Sequence, residues 1–396
     1  MLGRRQFLSG AAVSIGALGS SVSSATAQLR DDAPSASPAG QRLSRQALED
    51  SLTGCSYLGC GGGGSLTQAR ALIRADLEAG HVFTILDVAA LADEDRVACA
   101  YALASLAPLS DEIEAKLDAM DNPIEFPVLE AFRLLERHLG RPFSGVILGE
   151  MGPLSMAEGL SIAARLGVPA LDADTVGRAT PEINQQSVRV AGHPLTPATA
   201  YTPFGDEIIL TDLQDPSRQE DVMRALTVVS GLVGVADAPI TGANAKAPNV
   251  LVKESLSLAI ALGRAVREAK AANTDPIDAA RRAGDGYRLF SGRVSSFDWG
   301  DRDGFLAGHL FVEGRGEFAG QTLRLDYKNE HLVAQLGDRI IATCPDLITM
   351  VDRETAEGVN NPEFYEGQLV EVLGFRCDPI LRRPEGLEVF EPRYFG

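Results

Sequence analysis

The chain has 396 residues, 45% of them apolar, and a formal net charge of −18. This is a globular composition on a strongly acidic background, which argues against a protein that engages nucleic acid or anionic membrane through its overall field. The roughly 350 residues beyond the N-terminal segment exceed one comfortable hydrophobic core, so two domains are expected.

The N-terminus reads as an address. Arg4-Arg5-Gln6-Phe7-Leu8 is a twin-arginine pattern, Ala11 to Val22 is apolar and built of small residues, and Ala25-Thr26-Ala27 fits a small-x-small cleavage site. Residues 1–27 are therefore expected to be a twin-arginine signal peptide. They are too short and too rich in Gly and Ser for a convincing membrane span. The mature protein is expected in a bacterial periplasm, free of the membrane once the signal is removed; an uncleaved anchor is the alternative. Residues 28–43 lack periodicity and read as a disordered tether.

From 44 to 284 strand and helix patterns alternate. Helices are expected at Gln46–Leu52 and Ala69–Glu78, strands at Val82–Val88 and Arg96–Leu103, and an amphipathic helix at Phe126–Leu139, stopped by Gly140. Val146–Leu148 is a buried strand leading to Glu150. Ser155–Leu166 is a helix, and Val168–Leu171 a strand ending at Asp172. Ile208–Thr211 is a strand, Ser217 opens a helix to about Leu232, and Val250–Ala272 is a long helix. This rhythm predicts an α/β domain, three layers with a largely parallel sheet, whose ligands bind beyond the carboxyl ends of the strands. Glu150 and Asp172 are placed at two such ends. After Gly284 short strands and Gly-containing turns predict a β-rich, barrel-like domain over 285–396.

Leu58-Gly59-Cys60-Gly61-Gly62-Gly63-Gly64-Ser65 precedes a helix signal, so the Gly run is expected to deliver the chain to a helix N-terminus that favours an anion. Gly61, Gly62, Gly63, Gly64 and Ser65 are thus candidate substrate-binding residues. No G-K-[ST] follows, so no nucleotide is expected. Cys60 is a candidate nucleophile, with a small residue tolerated in a Gly turn as the alternative. The five Cys lack paired C-x-x-C spacing and are expected to be largely buried, unpaired thiols.

Asp172-Ala173-Asp174-Thr175-Val176-Gly177-Arg178-Ala179-Thr180-Pro181-Glu182 gathers three carboxylates around one Arg. That suits a general base or a site for a divalent metal. The alternative is an Asp-rich capping loop with an Arg178–Glu182 pair. Asn244, in a small-residue loop between a strand and the long helix, is a further candidate for binding a carboxylate or carbonyl, with a solvated loop as the alternative.

Leu58–Gly64, Glu150–Leu154, Leu171–Glu182, Leu256–Arg267, Lys328-Asn329-Glu330 and the terminal Pro384 to Gly396 together resemble the S-methyl thiohydantoin desulfurase family over roughly 48–396. The resemblance implies an α/β domain followed by a β-rich one. It also implies hydrolysis in which water replaces sulfur at C2 of a five-membered ring. Here Cys stands at 60 where Thr or Ser is more usual, and Met151 replaces a Gly. The expectation is a hydrolase for a small cyclic amide or thioamide, with the Gly run binding an anionic or developing oxyanion group. Asp172 or Asp174 would be the base, Arg178 would orient the ring, Glu150 would hold a ring N–H or donate a proton, and Glu182 would complete the acidic wall. A non-catalytic periplasmic binding or sensing protein is the alternative. Homo-oligomerisation and a bound metal are left open.

Overall fold

The computed structural model describes residues 40–105 and 109–396. The expected signal peptide, 1–27, and the expected tether up to residue 39 lie outside the described residues. The last tether residues already belong to the fold, because Gln41 and Arg42 pair with Ile85 and Thr84.

The first unit runs β1 (Gln41–Arg42), α1 (Arg45–Leu58), α2 (Leu66–Glu78), β2 (Thr84–Leu86), β3 (Arg96–Ala104), α3 (Asp111–Asp118), α4 (Pro127–Leu139), β4 (Gly145–Leu148), α5 (Pro153–Leu166) and β5 (Ala170–Asp174). It continues through α6 (Ser187–Val190), β6 (Ala198–Tyr201), β7 (Glu207–Leu210), α7 (Arg218–Ser230), β8 (Leu232–Thr241), α8 (Gly242–Lys246), β9 (Val252–Lys253), α9 (Ser255–Ala271) and α10 (Pro276–Ala283). The strands form one sheet in the order β1-β2-β5-β4-β3-β8-β6-β7, with β9 added beside β5. Its centre, β2-β5-β4-β3, is parallel, and its flanks are antiparallel. The period-2 alternation of β3 shows how the faces are served. Val97, Cys99, Tyr101 and Leu103 join the core on the side of α7 and α8, whereas Ala98 and Ala100 face the core built by α1, α4, α5 and α9.

The helix stops at Gly140 and Gly167 take the left-handed conformation expected of them. Two readings change. The long helix starts at Ser255, not Val250, because the chain turns through Val250 and Leu251, Val252 and Lys253 pair with β5, and the chain turns again at Glu254 with φ 61°. The strand expected before the Thr241 loop, for which the sequence gives no bounds, is β8, which fills the middle of the sheet. Its Ala, Gly and Pro content hid the extent of an almost fully buried strand.

The second unit is all antiparallel: β10 (Tyr287–Arg302), β11 (Phe305–Gly314), β12 (Thr322–Lys328), β13 (Glu330–Leu336), β14 (Arg339–Thr343), β15 (Leu347–Asp352) and β16 (Leu369–Phe375), closed by α11 (Pro384–Phe390). The order β14-β13-β12-β11-β10-β16-β15 curls until β13 meets β15, giving a half-barrel over a core that includes Phe290, Leu310, Leu325 and Val372. The two units do not have separate interiors where they meet. Leu332, Cys344, Leu347 and Leu373 share one buried cluster with Leu52, Cys55 and Leu58 of α1.

Candidate functional site

A cavity of about 330 Å3 opens between the two units. It lies where the α/β architecture predicts, beyond the carboxyl ends of the parallel strands. Its walls include Ala102 to Ser105 at the end of β3, Glu150 beyond β4, and Thr180 and Pro181 beyond β5. The start of α2 contributes Gly63, Gly64, Ser65 and Gln68, and the start of α5 contributes Ser155 and Glu158. The half-barrel supplies Asn329 and Glu330 from the turn into β13, and Asn360 to Glu363 from the loop before β16.

Carboxyl groups dominate this space. Glu150 accepts from the Ser155 hydroxyl at 2.7 Å and from the Thr180 N–H at 2.8 Å. Burial nonetheless raises it to about 7, against these two hydrogen bonds. Glu158 is 3% exposed and is raised by burial to about 8. Glu330, also 3% exposed, is held well above the usual carboxylate range by burial first and by the charge of Glu150 second. Glu158 Oε2, Glu330 Oε2 and Gln68 Oε1 have no hydrogen-bond partner in the protein, and the Asn361 side chain lies beside the His331 ring. Arg224 is the cation on the lining; it donates to Glu220 and to the carbonyls of Ala104, Pro181 and Gly304, with its guanidinium over the Phe305 ring.

Glu330 is fixed from both flanks. Asn329 takes φ 57°, its N–H donates to the Leu306 carbonyl, and its side-chain oxygen accepts from the Leu306 N–H. On the other side the His331 N–H donates to the Cys60 carbonyl, and the His331 carbonyl accepts from Arg178.

The Gly run reaches the cavity, but not as an open cradle. Gly63 and Gly64 line it, while Gly61 and Gly62 lie behind. The Gly63 carbonyl caps α5 by accepting from the N–H groups of Leu154 and Ser155. A Cβ on Gly63 would stand 2.2 Å from Gly152 Cα, so the two backbones meet at a distance only glycines allow. Ser65 is the N-cap of α2 with no side-chain cap bond, leaving the first turn of α2 facing the cavity.

Several expected site residues stand elsewhere. Asp172 is inside β5, which runs on to Asp174, so it is not at a strand end; its carboxylate accepts from the Ser257 N–H and hydroxyl in the first turn of α9. Asp174 is buried beneath the site and accepts from the N–H groups of Val176 and Gly177, with burial raising it to about 7. Arg178 is fully buried and donates to the carbonyls of Ala179, Pro345, Asp346 and His331, which ties the half-barrel to β5 rather than orienting a ligand. Glu182 pairs with Lys328 at 2.5 Å and accepts from the Tyr394 hydroxyl at 2.6 Å, anchoring the C-terminus. The Arg178–Glu182 pair therefore does not form. Asn244 lies beyond Thr241, which pairs with Arg96, whereas the cavity end of the same ladder is Ala104 opposite Leu232. The length of β8 separates it from the site.

Cys60 is buried in the shared core with its thiol donating to the Leu58 carbonyl, and burial raises it from its ordinary value. All five cysteines are free and buried. Among the described residues, no three His, Cys, Asp or Glu side chains are grouped to hold a metal ion, and no helix is long and apolar enough to cross a membrane.

The residues that sequence reasoning missed are Gln68, Glu158, Arg224, Glu330, Asn360, Asn361 and Glu363. Glu158 carried a signal, as the single acid within the apolar helix Pro153–Leu166.

The family model described as "S-Me-THD-like, N-terminal domain" matches residues 46–212, and "S-Me-THD-like, C-terminal domain" matches residues 214–396. The division between them falls before α7, inside the first sheet, because β8 and β9 complete that sheet from the second segment. An X-ray crystal structure of a protein from Chromobacterium violaceum is similar in fold, with a TM-score of 0.69 and 23% identity over 88% of this chain and 95% of that one. No curated protein matches the chain.

Proposed function

This chain belongs to the S-Me-THD-like family, and from that premise we propose that it is a hydrolase that replaces sulfur by water at C2 of a thiohydantoin-like ring. The observation that carries the reading is the convergence of Glu150, Glu158 and Glu330 from both units on one cavity between them. Environments that push carboxyl groups to different proton affinities are how one site holds both a base and an acid.

Glu150 is the base. Its two hydrogen bonds favour its ionised form, and its value of about 7 keeps it basic enough to take a proton from water. The water oxygen bonds to C2 as the proton passes to Glu150. As the water adds, the C2=N pair moves onto the ring nitrogen. Glu330, held protonated by its surroundings, then gives a proton to the sulfur as the C2–S bond breaks. The remaining hydroxyl proton passes to the ring nitrogen as C2=O forms, so that an S-methyl substrate leaves as a thiol and the ring becomes a hydantoin. The proton held by Glu150 replaces the one lost by Glu330. The uncapped first turn of α2 would stabilise negative charge developing on the ring. The twin-arginine pattern at Arg4-Arg5 supports a periplasmic setting for this chemistry.

The test is thiol release from an S-methyl thiohydantoin by the purified protein and by Glu150→Gln. Thiol release by the wild type and its loss in a folded Glu150→Gln supports the reading. A ligand that is bound and recovered unchanged after long incubation would instead make this a binding protein.

A further inference from the structure

We propose that the ligand of this cavity carries a positively charged, hydrogen-bond-donating group, such as an alkylammonium, seated between Glu158, Glu330 and Asn361. The proposal rests on the cavity being the hydrolytic site only in its choice of a ring as the rest of the ligand.

Charge is the first argument. Four carboxyl groups line the space: Glu150, Glu158 and Glu330 inside, and Glu363 at the mouth. The cation on the same lining, Arg224, has an ion pair of its own with Glu220 at 2.8 Å and gives three further hydrogen bonds to backbone carbonyls. It forms no ion pair with Glu158 Oε2 or Glu330 Oε2, which are without a partner in the protein. The second argument is independent of charge. Glu158, Glu330 and Asn361 are each 3% exposed, yet Glu158 Oε2 and Glu330 Oε2 have no donor in the protein, and Asn361 Oδ1 has only the His331 ring beside it. Buried polar atoms without a partner are rare and costly. Here all three border one cavity, so one incoming group with several N–H donors satisfies them together. An ammonium has three donors and no acceptor; its charge is matched by Glu158, while a Glu330 that keeps its proton still offers one acceptor oxygen.

An incoming carboxylate would meet the opposite situation. It would bring a further negative charge to carboxyls that already resist ionising beside one another. Discrimination between substrates then comes from repulsion as well as attraction.

The experiment measures binding, which needs no turnover, with the full exported chain. Calorimetry compares three hydantoins that differ only in a short side chain ending in an ammonium, a methyl or a carboxylate. Propylammonium and propionate, which have no ring, are compared in parallel by thermal shift. The ammonium hydantoin should bind about tenfold or more tighter than the methyl analogue, and propylammonium should raise the melting temperature where propionate does not. Glu158→Gln, which keeps the shape and removes the charge, should erase most of that preference, and Glu363→Gln at the exposed mouth should weaken it less. Carboxylate binding as tight as or tighter than ammonium overturns the proposal and leaves the hydrolytic reading standing. So does propylammonium without effect on the folded protein. Ammonium selectivity without thiol release sustains the proposal while the hydrolytic reading fails.

Discussion

Gly62 makes room for Glu330. A Cβ added to Gly62 would stand 1.8 Å from Glu330 Oε1, inside the carboxyl group itself. The Gly run of the α/β unit and the buried acid of the half-barrel are thus two sides of one contact, and the run serves the site by lacking side chains.

Gly62→Ala tests that contact. Unlike Gly61, Gly63 and Gly64, Gly62 does not have a positive φ, so alanine is compatible with its backbone and the effect is steric. The displaced carboxyl should cost about 1 to 3 kcal/mol of stability and most of the turnover. Denaturant unfolding and thiol release read the two effects. A variant with wild-type turnover would remove Glu330 from the chemistry.

The pH profile follows from the two roles. Glu150 must be ionised to act as base, so the rate should rise as pH passes through about 7. Glu330 must be protonated, and its value is raised well above the usual range, so the rate should fall again at higher pH. Initial rates across pH 5 to 10 check this; a profile flat through neutrality would contradict the assignment.

Stability should vary with pH in the opposite sense to that of most acid-labile proteins. Glu158 at about 8, with Asp174 and Asp237 at about 7, all lie above their values in an unfolded chain. The folded state therefore holds protons that the unfolded chain has released. Their contribution is full below the unfolded values, near pH 4, and is lost as pH rises through 7 to 8, each tenfold change in proton affinity being worth about 1.4 kcal/mol. The melting temperature should fall from pH 5 to pH 9, and Glu158→Gln should flatten that slope. A melting temperature that rises over the same interval would contradict it.

Arg178 should prove structural. Arg178→Met leaves carbonyls of Ala179, Pro345, Asp346 and His331 without their donor and should cost about 3 to 5 kcal/mol, the range for breaking a buried charged network. Arg178→Lys should recover little, since one ammonium cannot reproduce the planar fork. Unfolding curves measure both.

Cys60→Ala should leave turnover unchanged, because the thiol is in the core and the cavity wall does not include it. Loss of activity in a variant of normal stability would restore the thiol as a nucleophile.

The fold was legible where local chemistry and tertiary role agree. The stops at Gly140 and Gly167 and the positive φ of Asn329 follow from residue type alone. Glu150 could be found because it follows a short apolar strand, and a parallel sheet binds ligands there. Asp172 was misplaced because β5 continues for two residues past it, and a polar strand end looks like a loop. Asn244 was misplaced because β8, rich in small residues, gave no sign of its length or of its antiparallel direction, so the distance that carries Asn244 away from the cavity was invisible. Asn360 and Asn361 come from an irregular loop whose position is set by packing between the two units. Asn360 donates to the Gly64 carbonyl, and the Asn361 N–H donates to that of Gly61. No local pattern encodes a contact across some three hundred residues.

The most direct test of the account is to compare Glu330→Gln with Asp174→Asn for thiol release from an S-methyl thiohydantoin, each corrected for the folded fraction. Asp174 belongs to the segment that dominates the sequence, and Glu330 to the cavity wall. Loss of turnover by about 100-fold or more in Glu330→Gln, with Asp174→Asn retaining it, is the predicted result. Turnover retained in Glu330→Gln and lost in Asp174→Asn would move the chemistry out of the cavity between the two units.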